Sequence, residues 1–175
     1  MGDRDEHSTT SDVPSEPRSA FERGATRAGL LLLVLIVVAG AIGLLGPRKG
    51  TTSDSGSGYR LDVTYPAITR AGEPAPLHLR VRSAAGFHGP IQVALCDEFF
   101  DGLDFQNWYP NPSGETGDSS QLLYEFDPPD GDVFEASLDA RSAPGAFGDI
   151  EDCTVSVLDD DEEQVSVSFR TWRMP

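Results

Sequence analysis

The chain has 175 residues and a formal net charge of −16. Most of that charge follows residue 58, where 22 acidic residues and 7 arginines leave a formal charge of −15. Such a surface repels nucleic acid and anionic lipid headgroups, so neither is an expected partner of this part of the chain. It suits a cation or a basic protein patch, and it is also typical of an adaptation for solubility or salt tolerance.

The first segments of the chain predict a tail and a membrane span. Residues 1–27 are polar and rich in Ser, Thr and Pro, and they cannot bury enough surface to offset chain entropy. We therefore predict a disordered cytoplasmic tail. Residues 28–46 carry no charge, and as a helix they would reach roughly 28 Å, close to the ~30 Å hydrocarbon core of a bilayer. This segment predicts one transmembrane helix, with the lipid bilayer as its partner.

The basic residues that flank the apolar segment indicate its orientation. Arg18, Arg23 and Arg27 precede it, whereas only Arg48 and Lys49 follow it closely. Because the side with more basic residues stays in the cytoplasm, we expect a cytoplasmic N-terminus. The C-terminal domain is then extracytoplasmic, held at the cell membrane by a single-pass signal-anchor.

Two small-residue patterns in the apolar segment support further hypotheses. Ala39-Gly40-Ala41 fits the small-x-small pattern of signal-peptide cleavage, although the apolar run continues to Leu45. A cleaved signal peptide is therefore the alternative to a permanent anchor. Ala39 and Gly43 form a small-xxx-small pair that would let two helices approach, which suggests a weak helix-mediated dimer.

Residues 47–58 are predicted to be a flexible linker. Pro47 would end the apolar helix, and the sequence from Gly50 to Gly58 contains only Gly, Ser, Thr and Asp. A chain of that composition behaves as a flexible coil. We expect it to tether the domain near the membrane surface.

From Tyr59 the hydrophobic pattern has a period of two, which is typical of strands with one buried face. Helix signals are absent. Seven segments show the pattern, and turn residues separate them; they begin near Tyr59, Leu77, Ile91, Leu122, Phe134, Cys153 and Val165. Seven short strands in residues 59–175 predict an all-β domain, a seven-stranded immunoglobulin/fibronectin-like sandwich.

The two cysteines, Cys96 and Cys153, both lie in the predicted extracytoplasmic domain. An even pair outside the cytoplasm is most simply a disulfide, and the third and sixth strands of a seven-strand sandwich are neighbours. The alternative is two free buried thiols. A metal site would need more ligands, and the sequence has neither a CxxC motif nor clustered His, so we expect no metal and no cofactor.

Several stretches resemble a known family. The sequences VTYPAITRAGEPAPLHLRVR, GFHGPIQVAL, YEFDPPDGD, SLDAR and VSVSFRTW are together similar to small single-pass membrane proteins of actinobacteria. The resemblance covers residues 61–175. It implies an extracytoplasmic immunoglobulin-like β-sandwich, and it carries over no catalytic residues.

The segment from Asp97 to Gln121 is the candidate binding site. Some 25 residues between two strands is long for a compact domain, and such loops are often functional. Aromatic rings beside carboxylates can stack on sugars or hold a basic peptide. The candidate residues are Phe99, Phe100, Asp101, Asp104, Phe105, Trp108 and Tyr109. The alternative is that the rings fill one end of the sandwich while the acids face water.

Patterns for catalysis and calcium binding are weak. The acidic clusters at 127–132 and 159–163 lack the spacing of a calcium loop and are interpreted as solvated turns. There is no G-x-S-x-G, no HExxH and no phosphate-binding glycine loop. We therefore expect a non-enzymatic module that binds another membrane or envelope protein. The alternative is a domain that binds or hydrolyses envelope carbohydrate through the 97–121 loop.

Overall fold

The computed structural model describes residues 20–43, 46–117, 120–145, 148–159 and 162–174. The chain divides into two compact units, residues 1–45 and 46–175. In the first unit, helix α1 runs from Ala20 to Ala41. Its stretch Gly24–Ala41 has a mean hydropathy of 2.0 and is long and apolar enough to cross a membrane, as the composition predicts.

The bounds of α1 differ from the predicted span of residues 28–46. Residues 20–27, expected to belong to the disordered tail, are helical, because Ala, Glu and Arg favour helix once a neighbouring turn has formed. After the helix, Gly43 adopts a left-handed φ of 73°, and its N–H donates to the carbonyl of Gly40 at 3.0 Å. The rest of the predicted tail, residues 1–19, lies outside the described residues.

The second unit contains ten strands and one short helix among the described residues. These are β1 (Arg48–Gly56), β2 (Tyr59–Arg70), β3 (Leu77–Ser83), β4 (Ile91–Cys96), α2 (Glu98–Asp101), β5 (Leu103–Tyr109), β6 (Gly114–Gly117), β7 (Gln121–Phe126), β8 (Val133–Ser142), β9 (Ile150–Asp159) and β10 (Glu162–Met174). The predicted all-β class is confirmed, but the predicted number of seven strands is wrong. The additional strands are β1, β5 and β6. Strands β1 and β6 have no apolar alternation, since their residues are mostly Ser, Thr and Gly.

All these strands form one hydrogen-bonded sheet that curls into a half-barrel. The strand order is β5-β8-β3-β2-β10-β9-β4-β7-β6, and β1 pairs with β2 outside this path. Strand β2 changes neighbour along its length. Its residues 59–64 pair antiparallel with β3, whereas residues 68–70 pair in parallel with β10. The curl brings the apolar faces of both halves onto one core, which includes Leu61, Leu79, Phe126, Val155 and Phe169.

The segment predicted to be a flexible linker is a strand instead. Residues Arg48–Gly56 pair with β2, and the hairpin turns at Ser57 and Gly58, both with positive φ. A tight two-residue hairpin requires two residues with positive φ. This turn explains why the polar residues of β1 pair with β2. Strand β1 also passes close to β10, since a Cβ on Gly56 would lie 2.6 Å from the carbonyl oxygen of Gln164. The small and polar residues of this segment are therefore explained by its close approach to β10 and by its exposure to solvent, and not by flexibility.

The predicted disulfide is confirmed. Cys96 ends β4 and Cys153 lies in β9, with their Cα atoms 5.5 Å apart. The two strands are hydrogen-bonded neighbours, with Leu95 opposite Val155. The bond therefore joins two strands of the same half of the sheet.

Candidate functional site

The predicted binding loop is mostly regular structure. Helix α2 and strands β5 and β6 occupy much of residues 97–121. Three of its rings are buried, with Phe99, Phe100 and Trp108 at 1%, 6% and 7% exposure. Buried rings cannot stack on a ligand from solvent, so these three do not form the expected platform. These three rings instead follow the alternative prediction, in which aromatic residues of the loop fill the interior of the domain.

The buried rings pack against aromatic residues of the core strands. Phe99 contacts Phe169 edge-on at 5.6 Å between ring centroids, and Trp108 contacts Phe126 in the same way at 5.7 Å. Trp108 also lies 5.1 Å from the ring of Tyr124. Burial raises the pKa of the Tyr124 hydroxyl above its usual value, so this phenol stays neutral.

The other four candidate residues are exposed, apart from Phe105, whose side chain is not described. Asp101 and Asp104 are exposed, and Phe105 belongs to β5 with its side chain outside the description. Tyr109 is 77% exposed. It is the candidate whose described ring is open to solvent, and it lies on a different feature of the surface.

Tyr109 lines a surface cleft of about 410 Å³ on the outer face of β2, β3, β8 and β5. We call this cleft the groove, and its polar lining residues are Asp62, Thr64, His78, Arg80, Tyr109, Glu135 and Ser137. They fall in two rows across the sheet. Thr64, His78, Ser137 and Tyr109 are successive cross-strand partners, and Asp62, Arg80 and Glu135 form the next row.

The charges of the groove alternate. Arg80 stands between two carboxylates and pairs with Glu135 at 3.3 Å, and Asp62 is itself paired with Arg60 at 3.0 Å. The side chains of Arg80 and Glu135 are 46% and 64% exposed, so their pair contributes about 0–1 kcal/mol to stability. These charges are therefore available to a ligand at little cost to the fold.

The hydroxyls of the groove do not form a catalytic arrangement in the part of the chain that the structure describes. The Ser137 hydroxyl donates to the backbone carbonyl of Tyr109 at 3.5 Å. His78 is exposed, and among the described residues it makes no hydrogen bond to its neighbours Thr64 and Ser137. The groove offers donors, acceptors and one aromatic ring, which is the chemistry of a binding surface.

A second polar cluster lies beneath α2. Arg173 has a side chain only 3% exposed; it forms an ion pair with Glu151, and its Nη2 donates to the carbonyl of Phe99 at 3.0 Å. Burial raises the pKa of Glu151 more than the attraction of Arg173 lowers it, and the nearby carboxylates of Asp149 and Asp101 raise it further. A side chain on Gly102 would displace the Arg173 guanidinium from its present position. This cluster fixes α2 to β9 and β10.

Sequence reasoning missed the Arg173 cluster and most of the groove. The sequence did contain one signal for Arg173. Buried residues alternate with exposed ones along β10 from Val165 through Phe169, and Arg173 occupies a buried position of that alternation. For the groove, the outward phase of His78 and Arg80 was visible. Their alignment with β8 and β5 required the sheet register.

Metal binding has no support in the described part of the chain. Asp127, Asp130 and Asp132 are exposed in the turn before β8. No group of three or more His, Cys, Asp or Glu side chains that could hold an ion occurs among the residues that the structure describes. In the other acidic turn, residues 160–161 are outside the described ranges.

No family model and no curated protein matches the chain. Among solved structures, AvmM, which catalyzes macrocyclization in alchivemycin A biosynthesis, is 11% identical with a TM-score of 0.37, covering 72% of this chain and 98% of AvmM. The Pseudomonas fluorescens alkylpurine DNA glycosylase AlkC, bound to DNA containing an abasic site analog, is 15% identical with a TM-score of 0.31, covering 74% of this chain and 32% of AlkC. Similarities at these scores carry no argument about function.

Proposed function

We propose that this protein is a membrane-anchored binding module. It presents an immunoglobulin-like sandwich outside the cytoplasm and recognises another membrane or envelope protein through the groove. The observation that carries the proposal is the exposed ring of Tyr109 beside the alternating charges of Asp62, Arg80 and Glu135.

The strand order supports the immunoglobulin-like architecture. Strands β2, β3, β8 and β5 follow the spatial order A-B-E-D of immunoglobulin domains, and β10, β9 and β4 follow the order G-F-C. Strand β2 connects the two halves by changing its neighbour. The disulfide differs from that of antibody domains, because it joins β4 to β9 within one half and does not cross between halves.

The helix and the disulfide support the location. Helix α1 is long and apolar enough to cross a bilayer. A disulfide persists in an oxidising compartment, which favours placing the second unit outside the cytoplasm. The count of basic residues on the two sides of the span points the same way. This arrangement agrees with the actinobacterial single-pass proteins that the sequence resembles.

A protein partner fits the groove best. Tyr and Arg are the residue types that most often dominate binding energy at protein interfaces. A row of alternating charges favours a partner with complementary charges, which sets specificity and orientation. The groove also lies on the outer face of regular strands, which hold its side chains in fixed positions.

The second candidate is recognition of envelope carbohydrate. It is favoured by one observation, the alignment of the Tyr109 ring with the hydroxyls of Ser137 and Thr64. A sugar could stack on the ring and bond to the hydroxyls and to the carboxylate of Glu135. The ring, rather than the buried Trp108, would then carry the binding.

Photocrosslinking of the full-length chain in cells that produce it natively tests the proposal. A photoreactive residue at His78 should give a discrete protein adduct that Tyr109→Ala abolishes. The matched control places the same residue at Thr154, which is exposed on β9 in the other half of the sheet, and should not give that adduct. The same adduct from both positions would refute the proposal that the partner binds through the groove. Saturable binding of an envelope sugar, lost in Tyr109→Ala, would replace the proposal with its alternative.

A further inference from the structure

Two of the exposed large hydrophobic side chains of the second unit are neighbours. Within its described residues such side chains are Tyr109, Ile150 and Trp172. Ile150 and Trp172 are 62% and 42% exposed, and they are directly opposite each other on β9 and β10. An isolated exposed apolar residue is ordinary, whereas an exposed Trp beside an exposed Ile indicates a contact surface.

The apolar pair extends across two more strands. Trp172 is the parallel partner of the half-buried Ile68 on β2, and Ile68 is opposite Arg48 on β1. We call these four residues, Ile150, Trp172, Ile68 and Arg48, the Trp172 row. The row therefore runs from an aliphatic end through an aromatic ring to a basic end.

The Trp172 row lies at the end of the sheet where the chain enters it. Arg48 is the first residue of β1, and Ala41 is the last residue of α1. Seven Cα–Cα steps join these two residues, and at 3.3–3.6 Å per residue they span at most about 25 Å. If α1 crosses a bilayer, the row is confined to the neighbourhood of that bilayer.

The chemistry of the row matches the membrane interface. Trp is enriched where headgroups meet acyl chains, because its ring is apolar and its N–H is polar. Arg and Lys extend towards the headgroups, and Arg48 is followed by Lys49, which is also exposed. Asp152, two residues along β9 from Ile150 and so on the same face, is neutralised by a two-pronged ion pair with Arg170 at 2.6 and 3.0 Å.

We propose that the Trp172 row rests in the headgroup region of the bilayer and holds this end of the domain against it. The proposal rests on the membrane anchor of the proposed function. Its occupant is lipid and not protein, and the contact is made by Trp172 and Ile150 rather than by net charge.

The two tryptophans of the chain allow a direct test. Full-length protein is placed in phosphatidylcholine vesicles that contain lipid with a nitroxide on the headgroup. We expect the nitroxide to quench Trp172 emission by about half or more, because the ring sits at headgroup depth. Trp172→Phe, which leaves only the buried Trp108, should show little quenching. A second variant, Trp172→Phe with Thr154→Trp, places the exposed ring four residues along β9 from Ile150, and its emission should also show little quenching.

The outcomes separate the two proposals. If the protein does not float with the vesicles, the anchor fails, and the row proposal fails with it. If it floats but Trp172 is not quenched, the row proposal alone is overturned. Trp172 emission that shifts with protein concentration but not with the nitroxide would show a second copy covering the row, which also overturns it. Quenching of Trp172 that Ile150→Ser weakens would support it.

Discussion

Removing the disulfide should cost much of the stability of the β-rich unit. Cys96 and Cys153 are separated by 57 residues. In the chain-entropy model, closing a loop of that length removes about 14 cal/mol/K from the unfolded state, or about 4 kcal/mol at 25 °C. Domains are commonly stable by about 5–15 kcal/mol, so the double variant Cys96→Ser/Cys153→Ser should remain folded but with a small margin.

Urea unfolding of the full-length protein in detergent measures this effect. The emission of the buried Trp108 reports on the core in the Trp172→Phe background. With a slope of about 2 kcal/mol per molar urea, the midpoint should fall by about 2 M in the double variant. Reduction of the parent protein should produce the same midpoint, and Thr154→Ser, a change at the exposed position after Cys153, should leave it in place. A shift below about 0.5 M at unchanged slope would refute the reasoning from the unfolded state.

The remaining predictions concern the interior and the groove. Gly102→Ala should lower the free energy of unfolding by about 1–3 kcal/mol in the same assay, because the new methyl group displaces the buried guanidinium of Arg173; no loss would show that α2 can move away. Burial raises the pKa of Glu151, so the folded state holds its proton more tightly than the unfolded chain. The contribution of Glu151 to stability should therefore fall as the pH rises from the ordinary carboxyl pKa through the raised one, which is measured as the difference in pH dependence between the parent and Glu151→Gln; a difference of the opposite sign would mean that the Arg173 attraction dominates. Trp108→Ala should cost about 3–5 kcal/mol, whereas Tyr109→Ala should stay within about 0.5 kcal/mol, both measured by urea unfolding followed by circular dichroism; equal effects would contradict the assigned burial.

The sequence predicted those strands whose apolar side chains alternate between a buried and an exposed face. Alternating residues such as Leu77, Leu79 and Val81 occupy one buried face of β3, as the period of two predicts. Strand β1 was missed because its pairing depends on backbone groups and on the turn at Ser57 and Gly58, with no apolar alternation to reveal it. Strand β5 was missed because a register shift between Leu103 and Phe105 interrupts its period.

The candidate site was predictable only in part, for a related reason. Tyr109 and Trp108 are adjacent in a strand, so their side chains point to opposite faces, one into solvent and one into the core. Composition alone treats both as aromatic binding residues. The groove joins Thr64 to Ser137, which are 73 positions apart, and only the register of β2, β3 and β8 brings them into one row.

If α1 anchors the protein in a membrane, as proposed, strand β1 affects how the second unit could be released by proteolysis. Release of an anchored domain requires a protease to reach an extended, unpaired stretch of backbone near the anchor. The Ser- and Gly-rich composition of residues 50–58 would suggest an easy target, but residues 48–56 are engaged in a ladder with β2. A protease that cuts within residues 48–56 must therefore wait for the hairpin to open locally. In an anchored protein, the hydrogen bonds between β1 and β2 would thus protect this part of the chain from proteolysis.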